Sequence, residues 1–232
     1  MRSRDQGIKR SRDEGMVGAR RVDLLIFDLD GTLADTRADL TAAVNHALEK
    51  LALPPLSMEQ VCRYVGGGLE TLLSRALGLP HGDLVEDAVR LFRDYYGLHL
   101  LDRTRLYSGV RETLEHFRGK RKAIVTNKPL AFSERILAGL EIESHFEVVL
   151  GGDSTVQRKP HPEPALKVLT LTGVDPRLAA MVGDSPADIE MARQAGLYSV
   201  GVTYGLRSVE EVRAAGPDLL LESLPDLRHH LM

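Results

Sequence analysis

The sequence predicts an α/β fold, in which helices cover both faces of a parallel sheet and an all-helical block is inserted after the first strand. Three observations support this prediction. The short apolar run at 22–28 is typical of a buried strand. Residues 36–101 carry apolar side chains at helical spacing and show no convincing strand pattern. After residue 107, strand and helix patterns alternate, which indicates parallel strands joined by helices.

The first strand ends in a turn, because the run Asp28-Leu29-Asp30-Gly31-Thr32 is rich in turn-forming residues. The helical block follows. Its first helix has an apolar stripe made by Leu40, Ala43, Val44, Ala47, Leu48 and Leu51. Thr36 and Asp39 predict a capping box for this helix, and Ser57 predicts the start of the next one. Residues 69–77 and 84–95 predict two further helices.

The remainder of the chain predicts the rest of the sheet. Strands are expected at 122–126, 147–150, 179–183, 199–202 and 218–221. Helices are expected at 110–117, 131–140, 164–171, 186–195, 209–215 and 224–230. The expected organisation is therefore a tail at 1–21, a core at 22–35 and 105–232, and a helical domain at 36–104.

Composition excludes several classes of partner. The 232 residues are 43% hydrophobic and 27% charged, with a net charge of -3, which favours neither nucleic acid nor a membrane surface. We expect a small-molecule partner and a monomer or homodimer. The single cysteine, Cys62, is expected to be a buried hydrophobe and indicates a reducing, cytoplasmic location. The Arg-rich tail lacks the apolar stretch of a secretory signal, and Met16 is an alternative start.

Polar residues follow several predicted strands, at the sheet edge where α/β proteins bind ligands. Asp28 and Asp30 follow the first strand, and their spacing predicts that they project the same way. Two close carboxylates both stay ionised only beside a cation, and Mg²⁺ prefers such oxygen ligands. Asp184, at another strand end, supplies a further carboxylate. The sequence therefore predicts a magnesium site.

The same edge also carries groups that suit a phosphoryl group. Lys159 offers a fixed positive charge. Thr126 offers a hydroxyl and, with Asn127, backbone N–H groups at the start of a helix, which favour phosphate binding. Phosphoryl transfer needs this combination of charge neutralisation and positioning, and a carboxylate can act as the nucleophile.

Four motifs occur in order along the chain: Asp28-Leu29-Asp30-Gly31-Thr32-Leu33, Thr126-Asn127-Lys128, Lys159-Pro160 and Gly183-Asp184-Ser185-Pro186-Ala187-Asp188. In type and spacing they resemble the four motifs of the haloacid-dehalogenase-like hydrolase superfamily. The resemblance covers nearly everything after Arg21, and it implies a Rossmann-like core with a helical cap of the first type. Within the superfamily, the cap segment at 64–77 is most similar to that of the phosphoglycolate phosphatases.

The resemblance implies a role for each site residue. Asp28 would attack phosphorus to form an aspartyl-phosphate, and Asp30 would act as general acid and then general base. Mg²⁺ would be held by the Asp28 carboxylate, the Asp30 backbone carbonyl and Asp184. Thr126 and Asn127 would bind the phosphoryl oxygens, and Lys159 would balance charge.

Four residues have two interpretations each. Asp188 either caps its helix together with Ser185 or lies behind the metal ligands as an occasional direct ligand. In the cap, Arg75 either reaches a substrate carboxylate or faces solvent, and Gly67 belongs either to a substrate-facing loop or to a simple helix break. Lys128, the last residue of the second motif, either belongs to the site or is simply solvated.

The preferred function is an Mg²⁺-dependent phosphatase for a small metabolite, with 2-phosphoglycolate as the favoured substrate. A sugar-phosphate mutase of the β-phosphoglucomutase type, an inorganic pyrophosphatase and a binding module without turnover remain alternatives. A dehalogenase is disfavoured because Asp30 is present. A phosphonate hydrolase is disfavoured because the only cap lysine, Lys50, lies at a helix end.

Overall fold

The computed structural model describes residues 19–78 and 81–232. Most of the predicted tail, including Met16, lies outside the described residues. The end of that tail is part of the fold, because the Arg20 backbone N–H donates a 2.7 Å hydrogen bond to His230. The Arg20 guanidinium also lies 4.5 Å from the centre of the Tyr198 ring. The chain is therefore attached to the core at Arg20, one residue before the predicted boundary.

A six-stranded parallel sheet forms the centre of the molecule, in the order β5-β4-β1-β6-β7-β8. Its strands are β1 (Leu24–Phe27), β4 (Arg121–Val125), β5 (Val148–Leu150), β6 (Ala179–Gly183), β7 (Tyr198–Val202) and β8 (Leu219–Leu221). The strand β1 lies between β4 and β6, so the residues after these three strands meet at one edge. The parallel sheet predicted from the alternation of strands and helices is confirmed.

Alternation along β1 explains why helices cover both faces of the sheet. Leu24 and Ile26 enter one apolar cluster, while Leu25 and Phe27 enter another. The first cluster includes side chains from α7 (Glu163–Thr172) and α8 (Pro186–Ala195). The second includes side chains from the helices α5 (Val110–His116), α6 (Leu130–Gly139), α9 (Val209–Ala214) and α10 (Leu227–His230). The α/β fold class is confirmed.

The inserted block consists of α1 (Arg37–Lys50), α2 (Met58–Tyr64), α3 (Leu69–Leu77) and α4 (Val85–His99). The first of these, α1, packs against both α4 and α2. Ser57 caps α2 as predicted, since its hydroxyl accepts a 3.2 Å hydrogen bond from the backbone N–H of Gln60. Cys62 is buried in this block, as expected.

The predicted capping box of α1 is wrong. The Thr36 hydroxyl donates a 2.7 Å hydrogen bond to Asp30 instead of capping the helix. The buried Asp39 carboxylate accepts hydrogen bonds from the backbone N–H groups of Arg103 and Thr104, at 3.0 and 2.8 Å. Both side chains therefore tie the first helix to more distant parts of the chain.

A two-stranded antiparallel ribbon, β2 (Ala34–Asp35) and β3 (Arg105–Leu106), lies at the two ends of the helical block. Ala34 pairs with Leu106, and Asp35 pairs with Arg105. The chain therefore leaves and returns to the α/β core at adjacent positions. The division into a core at 22–35 and 105–232 and a cap at 36–104 stays a prediction. Within residues 19–78 and 81–232, no helix combines the length and apolar character that crossing a bilayer requires.

Candidate active site

The carboxyl ends of the central strands border a cavity of about 60 Å³. Asp28 follows β1, Thr126 follows β4 and Asp184 follows β6, and all three line this cavity. Lys159 reaches the same cavity from the loop between β5 and α7. The structure therefore brings together residues that lie up to 156 positions apart in the sequence, because neighbouring parallel strands end at the same edge.

Lys159 lies at the centre of a buried charge cluster. Its ammonium is 2.8 Å from Asp28 Oδ1 and 2.7 Å from Asp188 Oδ1, and it donates a 2.8 Å hydrogen bond to the Val125 carbonyl. Burial lowers the pKa of this lysine, but the two carboxylates outweigh burial and raise it overall. The side chain is therefore a permanent cation beside Asp28.

Asp188 is completely buried, and both of its oxygens have partners. Oδ1 accepts from Lys159, while Oδ2 accepts from the backbone N–H and the hydroxyl of Ser185, at 3.0 and 2.6 Å. The helix-capping interpretation and the interpretation as a charge behind the site are thus compatible, because the two oxygens serve different partners.

Two neighbouring hydrogen bonds and two glycines fix the Asp184 carboxylate. Oδ1 accepts from the Thr32 hydroxyl at 3.2 Å, and Oδ2 accepts from the Leu206 backbone N–H at 2.7 Å. A Cβ atom at either Gly31 or Gly205 would lie 2.3 Å from an atom of Asp184. Gly31 also has a φ of 89°, a conformation that favours glycine. Only glycine at these two positions leaves room for the carboxylate.

Asp28, Asp184 and Asp188 form an acidic cluster in which one oxygen of each lies within 4.8 Å of the others. Burial, more than any other cause, raises the pKa of Asp28 to about 6 and that of Asp184 to about 7, and repulsion between the carboxylates adds to both shifts. Lys159 places one positive charge beside this group of three carboxylates. A hard cation that accepts oxygen ligands fits the cluster, because it would offset the remaining repulsion.

The Asp30 carboxylate belongs to a different group of side chains. It accepts hydrogen bonds from the Lys128 ammonium at 3.0 Å to both oxygens and from the Thr36 hydroxyl. The strand geometry on which the spacing argument for Asp28 and Asp30 depends does not persist, because β1 ends at Phe27 and the chain turns, yet both residues line the same cavity. In that turn the N–H groups of residues 32–34 all donate to the Leu29 carbonyl.

Of the two interpretations of Lys128, the structure supports a place at the site rather than in solvent. Its side chain is 4% exposed, and its ammonium lies 4.7 Å from the centre of the Tyr96 ring. In the sequence it directly precedes Pro129 and completes the motif Thr126-Asn127-Lys128, and neither feature shows what its side chain contacts. Each of the two aspartates after β1 therefore has its own buried lysine.

Several polar groups of Thr126 and Asn127 have partners within the protein, and their contact with a phosphoryl group stays a prediction. The helix α6 begins only at Leu130, and the Thr126 N–H donates to the Leu150 carbonyl, so this N–H group is not free. The Asn127 amide donates to the carbonyls of Gly66 and Lys159, and its oxygen accepts from the Lys159 N–H at 3.0 Å. The Asn127 side chain thus positions the lysine and a loop of the helical block. The Thr126 hydroxyl remains the predicted phosphoryl contact.

The two cap residues singled out in the sequence are not part of the cavity wall. Arg75 is exposed and lies 3.4 Å from the Tyr64 carbonyl, and a Cβ at Gly67 would meet Thr71. The glycines on the wall are Gly66 and Gly68 instead. The missed contributors are Arg207 and the largely apolar group Leu40, Leu69, Leu72, Phe92, Tyr96 and Phe132.

Comparisons with known proteins agree with this architecture. The family described as haloacid dehalogenase-like hydrolase matches residues 25–202. The chain is 41% identical over 210 residues to a phosphoglycolate phosphatase of Pseudomonas putida, covering 87% of this chain and 76% of that protein. It is 37% identical over 224 residues to a phosphoglycolate phosphatase of Escherichia coli K12, covering 87% and 89%.

A solved structure gives the same result. The crystal structure of a protein from Haemophilus somnus, described as a predicted phosphoglycolate phosphatase, superposes with a TM-score of 0.86 at 35% identity, covering 91% of this chain and 98% of that one. The family match spans most of the chain, and the structural match includes the helical block. The chain belongs to the haloacid dehalogenase-like hydrolase family.

Proposed function

We propose that this protein is a Mg²⁺-dependent phosphatase that hydrolyses a small phosphorylated acid, with 2-phosphoglycolate as the preferred substrate. The observation that carries the proposal is the pair of buried aspartates in one cavity, each held by its own lysine. The two carboxylates have different surroundings, which suits two different roles in one reaction. The names of the relatives from Pseudomonas putida and Escherichia coli support phosphoglycolate as the substrate.

Asp28 is the nucleophile in this proposal. Its carboxylate lines the cavity, and the Lys159 ammonium, 2.8 Å from Oδ1, holds it in place. As a carboxylate oxygen of Asp28 bonds to phosphorus, the bond from phosphorus to the ester oxygen breaks, and Asp30 gives its proton to the leaving alcohol. Water then attacks the phosphorus of the aspartyl-phosphate, Asp30 takes the water proton, and the Asp28 carboxylate is released with phosphate.

Mg²⁺ would be held by Asp28 and Asp184, with the Asp30 backbone carbonyl as a further ligand, and when bound it would neutralise charge on the phosphoryl group. Asp188 stays behind these ligands because both of its oxygens already have partners. Lys159 holds Asp28 in place, and the Thr126 hydroxyl is available to a phosphoryl oxygen. The largely apolar side chains around the cavity limit access of bulk water to the intermediate.

A mutase is the alternative that shares this site, and it would need to bind a sugar that carries a second phosphate group. A cytoplasmic location and a monomer or homodimer stay predictions from the sequence.

The test is a screen of phosphate release with Mg²⁺ against 2-phosphoglycolate, glucose phosphates, pyrophosphate and an aryl phosphate. We expect the highest kcat/KM for 2-phosphoglycolate, without any bisphosphate activator. Asp28→Asn should lower kcat at least about 10³-fold, because it removes the nucleophile. Asp94→Asn, on the exposed face of α4, is the matched control and should retain activity. Phosphate trapped on any residue other than Asp28 would refute the proposal.

A further inference from the structure

The Tyr96 hydroxyl is a buried polar group without a partner. Tyr96 lies on α4, is 0% exposed, and its hydroxyl oxygen makes no hydrogen bond with the residues that the structure describes. The ring is fixed on several sides. It stacks on Phe92 at 5.0 Å and meets the edge of Phe132 at 5.2 Å. The hydroxyl is therefore held in one place rather than free to turn towards water.

A buried hydroxyl without a partner is unfavourable, so its retention next to the cavity calls for an explanation. Lys128 is the nearest charged group, and its ammonium lies 4.7 Å from the ring centre. An ammonium can only donate hydrogen bonds, so it cannot accept the phenol proton. Burial raises the pKa of Tyr96 to about 12, which keeps that proton in place at neutral pH. The Tyr96 hydroxyl therefore needs a hydrogen-bond acceptor, and the adjacent positive charge of Lys128 favours an anionic one.

The position of this pair relative to Asp30 suggests which anion it would bind. The Lys128 ammonium is 3.0 Å from both oxygens of Asp30, the group that protonates the leaving oxygen in the proposed reaction. In 2-phosphoglycolate a single methylene group separates that oxygen from the carboxylate. A leaving oxygen at Asp30 therefore places the substrate carboxylate in the neighbourhood of Lys128 and Tyr96.

We propose that the Tyr96 hydroxyl, together with the Lys128 ammonium, binds the carboxylate of the leaving group and so selects phosphorylated small acids. This inference rests on the proposed phosphatase function and adds a specificity-determining residue to it. Tyr96 comes from the helical block and Lys128 from the α/β core, so a carboxylate bound between them would join the two.

Arg207 is another cationic side chain at the cavity. Its two terminal nitrogens donate to the backbone carbonyls of Arg63, at 2.9 Å, and Val65, which holds the guanidinium against the helical block. Two of its five N–H donors thus have acceptors, whereas the Tyr96 proton has none among the described residues. The unsatisfied group is therefore the better candidate for substrate recognition.

The experiment compares Tyr96→Phe with Tyr107→Phe. Tyr107 also has a buried hydroxyl without a partner but does not line the cavity, so it is a matched control. Each variant keeps its ring and loses only a hydroxyl. The kcat/KM of wild type and of both variants is measured with Mg²⁺ for 2-phosphoglycolate and for ethyl phosphate, which lacks the carboxylate. Thermal unfolding is measured in parallel.

We expect Tyr96→Phe to lower kcat/KM for 2-phosphoglycolate about tenfold, mainly by raising KM. For ethyl phosphate, kcat/KM should stay within about twofold of the wild-type value. Its Tm should be equal to or above that of the wild type, because the lost hydroxyl made no hydrogen bond. Tyr107→Phe should leave kcat/KM unchanged for both substrates. An equal loss on both substrates, or no loss on either, would overturn the inference while leaving the phosphatase function in place. A wild-type protein that hydrolyses neither substrate would refute the proposed function itself.

Discussion

Replacing Lys159 by methionine tests whether its charge is what allows three carboxylates to share the interior. Methionine keeps most of the length of the side chain and removes only the ammonium. That ammonium is 3% exposed and lies 2.8 Å from Asp28 and 2.7 Å from Asp188. Without it, no permanent cation among the described residues contacts the acidic cluster.

Breaking a buried ion pair by removing one partner costs about 3–5 kcal/mol, because it leaves a buried charge uncompensated. For a chain of this size, each kcal/mol corresponds to about 2–4 °C in Tm. Lys159→Met should therefore lower Tm by roughly 6–20 °C at pH 8 in EDTA. The loss should be smaller at pH 5, where Asp28 and Asp184, with pKa values of about 6 and 7, take up protons instead. Mg²⁺ should recover part of the loss at pH 8.

The measurement is urea and thermal unfolding of the two proteins at pH 5 and pH 8, with EDTA or Mg²⁺. Lys167→Met is the matched control, because Lys167 is an exposed lysine whose ammonium donates to the Ser154 carbonyl. It should shift Tm by no more than a degree or so. If Lys159→Met were as stable as this control at pH 8 in EDTA, the ammonium would not be holding the acidic cluster together.

Three further predictions follow from other parts of the structure. In EDTA the wild-type stability should fall between pH 5 and pH 8. The pKa values of Asp28 and Asp184 are raised by folding, so their contribution stabilises the fold at low pH and is lost as pH rises through about 6 and 7. Asp184→Asn removes one of these two groups, so its urea midpoint should fall less between pH 5 and pH 8 than that of the wild type. Arg207→Ala should speed amide hydrogen exchange at residues 63–68 but not in the sheet, because the guanidinium donates to two carbonyls there. Asp39→Asn should lower the free energy of unfolding in urea by about 1–3 kcal/mol. This 3% exposed carboxylate accepts hydrogen bonds from the backbone that follows α4, so unchanged stability would contradict its role.

Local patterns in the sequence predicted most of the elements. The bounds of α3 and α8 agree residue for residue with the prediction, because periodicity and end signals such as Pro186 and Gly196 act within one helix. The ribbon β2–β3 was missed because two residues per strand carry no periodicity. The prediction of a capping box for α1 failed because both of its side chains form hydrogen bonds with residues outside the helix. A local sequence pattern cannot show such contacts.

The site was predictable where it depends on topology. Asp28, Thr126 and Asp184 follow adjacent strands, so the fold alone brings them together. The role of Lys128 was not predictable, because its burial depends on α4 covering it with Tyr96. The same holds for Arg207, whose contacts depend on how a loop of the helical block lies against the core. Sequence patterns identified residues on the sheet edge and missed those that depend on packing between distant segments.

The ribbon at Ala34–Asp35 and Arg105–Leu106 makes the helical block a graftable module. The strands β2 and β3, which connect the block to the core, pair with each other. The two ends of any inserted segment therefore need to lie only as far apart as two paired strands, whatever the length of the segment. Joining these two strands by a short turn, or by the corresponding block of a relative, leaves the strand order of the sheet unchanged. Evolution and protein engineering can therefore exchange the helical block of this enzyme while keeping its α/β core, provided that the new block again covers Lys128.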